Sequence, residues 1–556
     1  MTSANAQPLQ LFSMQWTDFM HNKQIWIALG VITHQIISSY ESDHTFHIIL
    51  PAWALFWTSS GVVEYTTGPS QSALEVLSTV GSSAALYFGA LISSILIYRA
   101  FFHRLCQFPG PFFARLSKLY ALNVTSKGPY YEGVDRLHQK YGSIVRTGPQ
   151  ELSIVDVDAI SVLNSGTSKA KKSAWYDHSR FIEGVSLHTA RDKTYHREIR
   201  KSWDKALGAS SLRHYSPRIN RHGTQLIDQL ARRATKGEAV NISDWTNYYS
   251  GDVIGDIGFS NDFGMVAAGG RNELMKSMHD AGPLISYLNH ISWCGNLILR
   301  TGNGLGAKPM VDFMQWAYKV LRHRKKNPPE ERDIISWLLD PKDEDIPLNR
   351  NADARVMIAA GTDTTASTLT WLIYELCRNP QIQSRLYKDV LRVAGDKIFL
   401  DIDDIVDLPY LDDVINEGLR LHPAVCTGVP RVTPPEGLKI GNTMIPGNVN
   451  TWIPMYTLHR SPKYFAEPLV FEPERWSSKP EMVINKHAFI PFLTGPHKCV
   501  GWQLAMREMR SVVANLLLNF QVDFVEGDDG ESVNRQAMDC FAVQAGPLNV
   551  KLTMRK

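Results

Sequence analysis

Three apolar runs crowd the first hundred positions, and amphipathic patterning takes over after them. Residues 76–98 carry no charged side chain, a length that crosses the roughly 30 Å hydrocarbon layer of a bilayer as one helix. Residues 25–40 and 46–63 are also apolar but are shorter, or interrupted by His34, Gln35 and Pro51. They read either as further spans or as segments lying at the interface. Glu64 and Glu75 precede the long run, and Arg99, Arg104, Arg115 and Lys118 follow it. That excess of positive charge is expected to hold everything after residue 99 in the cytosol. The F-P-G-P stretch at 108–111 ends the segment with a stiff turn. The expected division is an anchor region over 1–105 and one folded domain over 106–556.

Beyond the turn the dominant period is helical. In residues 502–520, Ala505, Met509, Val512, Val513, Leu516 and Phe520 share one apolar face. Short alternating segments at 144–147 and 152–155 read as strands, so the fold class is mainly α with small β-sheets (α+β). A long helical pattern over 352–377 contains A-G-T-D-T-T at 360–365. Glycine and clustered threonines are poor helix formers, and such local conflict is expected where function overrides stability. The plainer alternative is a bent core helix. Glu417 and Arg420 lie three apart on one helical face and form a natural ion pair, with Pro423 ending that helix. E-x-x-R alone is weak, since about one or two arise by chance in a chain this long.

Composition narrows the classes. A formal charge of +3 over 556 residues, with no basic run, excludes nucleic acid as the expected partner. The six cysteines are scattered, which argues against a disulfide framework or structural zinc and for reducing surroundings. One of them, Cys499, sits in F-L-T-G-P-H-K-C-V-G at 492–501, directly before the amphipathic 502–520 pattern. A buried structural thiol is the commonest fate of a free cysteine. Here Gly495 and Gly501 bracket it, the helix's positive end is expected to lower its pKa, and chance supplies such a motif in about one chain per thousand.

The spacing F-x-x-G-x-(R/H)-x-C-x-G closely resembles the heme-binding loop of the cytochrome P450 family, with His497 where that family usually carries arginine. E-P-E-R-W at 472–476 is similar to its P-E-R-F segment, and fungal members share the Pro-Gly-Pro hinge. The resemblance covers roughly residues 109–550. It implies a cytochrome P450 fold after the membrane segment and heme b (iron protoporphyrin IX) ligated by Cys499 as metal ligand, with Phe492, Gly495 and Gly501 shaping the loop. His196, Arg200, Arg431 and His497 would meet the heme propionates. Ala360 and Gly361 would leave room for dioxygen, and Asp363 and Thr364 would relay protons to it. Glu417, Arg420 and Arg475 would form a buried structural triad. His497, unlike arginine, is expected to change charge near neutral pH.

The function so implied is a heme-thiolate monooxygenase acting on a lipophilic small molecule, in fungal secondary-metabolite biosynthesis. Its electrons would come from a separate NADPH-cytochrome P450 reductase, steered by Arg197, Lys201, Lys498, Arg507 and Arg510. Membrane lipid is the other partner, and the location is the endoplasmic reticulum with the catalytic domain facing the cytosol. The pocket would be lined from 172–187, 282–298, 357–364, 425–429 and 540–544. The same centre could instead run desaturation, ring closure or oxidative coupling. A non-catalytic heme-binding protein is the rival outside enzymes, and it would need neither Asp363 nor Thr364.

Overall fold

A computed structural model of the chain describes residues 16, 18–38, 46–68, 72–177, 184–300, 304–339 and 350–555. It is mostly helical, with a five-stranded sheet, a three-stranded sheet and two hairpins among the described residues.

The N-terminal region forms three helices, Lys23–Ile37, Phe46–Thr67 and Ala73–Ile97, the last continuing as a π-turn to Phe102. Among the described residues, only Ala73–Phe102 is both long and apolar enough to cross a membrane by itself, at 30 residues. The 15-residue first helix rises only about 22 Å, less than the hydrocarbon thickness. It packs on the long helix through Trp26, Tyr87 and Leu91. Its Gly30 permits that approach, because a Cβ there would lie 2.5 Å from the Tyr87 carbonyl oxygen. The Pro-Gly-Pro turn is not a loose tether: the Arg146 N–H donates to the Pro109 carbonyl at 2.7 Å, stitching it to the first strand.

That strand, β1 (Ile144–Gly148), pairs with β2 (Glu151–Ile154); β3 (Lys171–Lys172), β4 (Arg431–Val432) and β5 (Asn450–Trp452) complete a sheet in the order β1-β2-β5-β4-β3. The main core lies between the helices Ile242–Phe259, Asn351–Arg378, Pro409–Leu421 and Trp502–Asn519. Asn351–Arg378 runs unbroken through the Ala360–Thr365 conflict, because packing on both flanks outweighs the local propensity. Gly361 shows how: its added Cβ would lie 2.7 Å from Ile254 on the neighbouring helix. Gly361 therefore allows the close approach of the two helices.

Candidate functional site

The Cys499 loop is built on two backbone facts. Gly495 has φ +68°, and a side chain there would run into the Asn164 carbonyl, so the turn demands glycine. The Cys499 N–H then donates to the Phe492 carbonyl at 2.8 Å, closing the loop just before Trp502 begins its helix. Gly501 needs no such excuse, since a Cβ there would meet nothing within 4 Å.

Cys499 is surrounded by protein yet keeps accessible surface, so it faces a space inside the molecule rather than bulk water. Burial pushes its thiol up, against the Gly501 N–H, the Arg200 and Lys498 charges and the Trp502 N–H. The helix end was expected to lower this pKa; desolvation outweighs it. A coordinated metal reverses that balance, because a coordinating thiol is deprotonated outright.

Beside the thiol lies a cluster of basic side chains. Lys172 and Arg431 are direct cross-strand partners between β3 and β4, and both are buried. Like charges so placed repel. Lys172 Nζ donates to the Leu187 and His188 carbonyls at 3.1 and 2.6 Å, and Arg431 keeps a buried Nε with no partner. His196, on the helix Lys193–Ala206, stands 3.1 Å from His497 Nδ1 through its Nε2. Arg200, one turn on, donates to the Lys498 carbonyl at 2.6 Å and to Asp204 at 2.7 Å.

Among the described residues, none of Lys172, His196, Arg431 and His497 has a carboxylate partner. Burial, then Arg431 and Arg200, hold Lys172 well below its ordinary pKa. Burial, then Lys172, Arg200 and Arg431, drive His196 to about 3. Burial, then Lys172, Arg431, His196 and Lys193, drive His497 to about 2. His497 is thus a neutral partner at physiological pH and not the near-neutral titrating group anticipated from the sequence. An enclosed thiol beside a buried basic cluster, whose members burial and their neighbours hold back from protonation, suits a metal-bearing group with anionic arms, and the donor set fits heme with its two propionates.

On the long helix, Ala360 is exposed between half-buried Ala359 and Gly361. The Thr364 hydroxyl donates to the Ala360 carbonyl at 2.6 Å. Asp363 is buried; its Oδ2 accepts from Gln544 Nε2 at 3.2 Å, while its Oδ1 has no partner. Above this region Trp175, Tyr176, Trp452 and Phe541 form an aromatic cluster, with the Trp175 and Phe541 rings stacked at 5.2 Å. Trp175 also closes an apolar cavity of about 70 Å³ with Leu284, Ile285, Leu288 and Ile298. Of the lining anticipated from the sequence, residues 178–183 lie outside the described residues.

Glu417 is fully buried and saturated. Its carboxylate takes Arg420 through two N–H bonds at 2.9 and 2.8 Å and Arg475 at 2.9 Å. The Glu472 N–H at 2.9 Å and the Trp476 indole N–H at 3.1 Å add two more donors. The basic residues singled out for a partner are unevenly free. Arg510 is tied to Asp412 at 2.6 Å, and Arg197 and Lys201 share Glu198. Lys498 lies 4.0 Å over the Trp502 ring and Arg507 donates to Ser216.

Three residues escaped the sequence reading: Lys172 as part of the cation cluster, Trp476 as a donor to Glu417, and His279, which lies 3.7 Å from Asp363. No local pattern marks them. Each becomes legible only through a cross-strand or interhelical neighbour far away in the chain.

A heme-thiolate oxygenase is the class that this fold and donor set define. The family model described as Cytochrome P450 matches residues 109–552. The chain is 36% identical over 548 residues to cytochrome P450 monooxygenase FCK2 of Fusarium pseudograminearum, covering 96% of this chain and 98% of that protein. It is 33% identical over 532 residues to cytochrome P450 monooxygenase notG' of Aspergillus versicolor, with 95% and 96% covered. Tryprostatin B 6-hydroxylase of Neosartorya fischeri is 34% identical over 537 residues, with 95% and 97% covered. The chain belongs to the cytochrome P450 family, a family of heme-binding monooxygenases.

Proposed function

We propose that this chain hydroxylates a lipophilic small molecule in fungal secondary metabolism, using dioxygen and electrons from a separate NADPH-cytochrome P450 reductase. The observation that carries the reading is the enclosed Cys499 thiol beside a buried basic cluster that has no carboxylate partner among the described residues. The name of the Neosartorya relative, a hydroxylase of tryprostatin B, supports hydroxylation over desaturation or coupling. The aromatic cluster around Trp175 and Phe541 supports an apolar, ring-bearing substrate.

Heme, when bound, supplies the oxygen activation; the chain's own residues hold it and manage protons. Cys499 would ligate the iron. Lys172, His196, Arg431 and His497 would hold the propionates, whose charges relieve the repulsion among them. Asp363 Oδ1, unpartnered and buried, can hold a proton. The Thr364 hydroxyl, now donating to Ala360, passes one on by rotating away from that carbonyl. The apolar walls exclude water. Lys498 and Arg507, having no carboxylate partner among the described residues, are the cations best placed to meet an acidic reductase face. The Ala73–Phe102 helix, followed by Arg104 and Arg115, supports an anchor in the endoplasmic reticulum with residues 106–556 as a cytosolic catalytic domain.

The test is product analysis under ¹⁸O-labelled dioxygen with reductase and NADPH, using extracts of the producing fungus as the substrate source. One labelled oxygen per product is expected. A product that forms but carries no label overturns hydroxylation.

A further inference from the structure

We infer that His279 is the outer station of the proton path to Asp363. The inference rests on the reading of Asp363 as a proton carrier and extends it to a residue two helices away.

His279 lies on the helix Glu273–Asp280, and its Nε2 faces Asp363 Oδ1 across 3.7 Å. Both atoms are buried and neither has a hydrogen-bond partner. Orphaned polar atoms are rare inside proteins, and two that face one another form a single unclosed contact. A shift of roughly 0.7 Å brings them to hydrogen-bond distance.

The rest of the surroundings hold the carboxyl for this use. Gln544 Nε2 occupies Oδ2 at 3.2 Å and leaves Oδ1 as the free atom. Gln544 is itself confined, because a Cβ on Gly282 would lie 2.6 Å from its Oε1. The neighbouring Cys540 thiol is pushed well up by burial, then by Asp363 and Asp539, so it stays protonated and offers no competing charge.

The His279 side chain is 15% exposed, while its Nε2 is sealed. The accessible part is therefore elsewhere on the side chain than the atom that faces the carboxyl. In the transfer, His279 Nδ1 takes a proton from a hydronium ion, leaving water, as the Nε2–H bond breaks and the Oδ1–H bond of Asp363 forms. Turning of the ring or tautomer exchange then restores the Nε2–H, and no electrons move. Asp363 remains the group nearer the chemistry; His279 acts through it, as a positioning residue.

The experiment uses the full chain loaded with heme, reconstituted with reductase and NADPH without added substrate. It reads how consumed dioxygen divides between hydrogen peroxide and water, per carbon monoxide-competent heme. His279→Gln keeps the shape but cannot carry the proton, and His279→Arg keeps a charge it cannot give up. Both are expected to raise the peroxide share by about threefold or more, as Asp363→Asn does, with no further rise in the double variant. Histidine-labelled nuclear magnetic resonance gives a readout independent of turnover. The resonance missing from His279→Gln should change its chemical shift once Asp363→Asn alters the facing group.

An unchanged division in both His279 variants, with Asp363→Asn shifted, overturns the inference and leaves the role of Asp363 standing. An unchanged division in Asp363→Asn overturns both. Rescue by His279→Arg, or an unmoved histidine resonance, reduces His279 to a structural contact and overturns the relay.

Discussion

His497 Nδ1 and His196 Nε2 lie 3.1 Å apart, two imidazoles facing one another where Lys172 and Arg431 crowd in and no carboxylate answers them. Basic groups concentrated in a protein interior give up protons that the unfolded chain would hold, which costs the heme-free fold stability, and they favour whatever anion enters. Stability without cofactor and affinity for cofactor are thus opposed at this site.

Lys172→Met should separate the two. Lys172 is buried and held well below its ordinary pKa, so replacing it by an apolar chain of similar length is expected to stabilise the heme-free protein at neutral pH by about 1–3 kcal/mol. The same change should speed heme loss to an apomyoglobin acceptor. Urea midpoints of the heme-free form and heme-transfer rates measure the two effects. His497→Arg adds a charge to the same cluster and should move both in the opposite direction.

Trp476 completes the shell of Glu417 through its indole N–H. Trp476→Phe keeps most of the ring and leaves one carboxylate lone pair unanswered, so a loss of about 1–2 kcal/mol is expected. Removing the carboxylate with Glu417→Ala strands two buried guanidinium groups and should cost about 3–5 kcal/mol. Chemical denaturation of the two variants ranks them.

Gly418 sits inside the helix Pro409–Leu421, where propensity alone says that alanine gains about 1 kcal/mol. The structure reverses the sign. A Cβ at 418 would run into the Leu372 side chain of the long helix, and overpacking of this kind costs about 1–3 kcal/mol. Gly418→Ala should therefore lower the melting temperature; a rise would show that Leu372 yields easily.

His459 is fully buried, with its Nε2 accepting the Ile490 N–H at 3.1 Å. Burial, then Arg420 and Arg460, depress it from 6.5 to about 3. The folded state holds the neutral ring, whereas the unfolded chain takes up a proton near 6.5. Its contribution is complete above that value and is lost as pH falls toward 3, at up to about 1.4 kcal/mol per pH unit. His459→Gln, which can still accept the Ile490 N–H, should lose less stability than wild type between about pH 7 and about pH 5.

Much of this molecule was legible before any coordinates. Apolar runs marked the anchor, helical periodicity marked Trp502–Asn519, and the Cys499 and Glu417–Arg420 spacings carried chemistry because their partners are near in sequence. What stayed hidden was set by distance along the chain. Lys172 meets Arg431 only through strand pairing across some 260 residues, and His279 reaches Asp363 only because two helices pack. Energetic balance was hidden too. The helix end at Cys499 and the imidazole of His497 pointed to a lowered thiol pKa and a near-neutral switch, and burial, which no local pattern reports, decided both the other way. Gly361 looked like room for a ligand and is contact with Ile254.

The most direct measurement is the absorption spectrum of the dithionite-reduced, carbon monoxide-bound protein, for wild type and Cys499→Ser. Wild type should show the strongly red-shifted Soret band that a thiolate ligand produces, and Cys499→Ser should lose it while any retained heme absorbs at shorter wavelength. A red-shifted band that survives in Cys499→Ser, or heme-loaded wild type without one, would contradict Cys499 as the iron ligand.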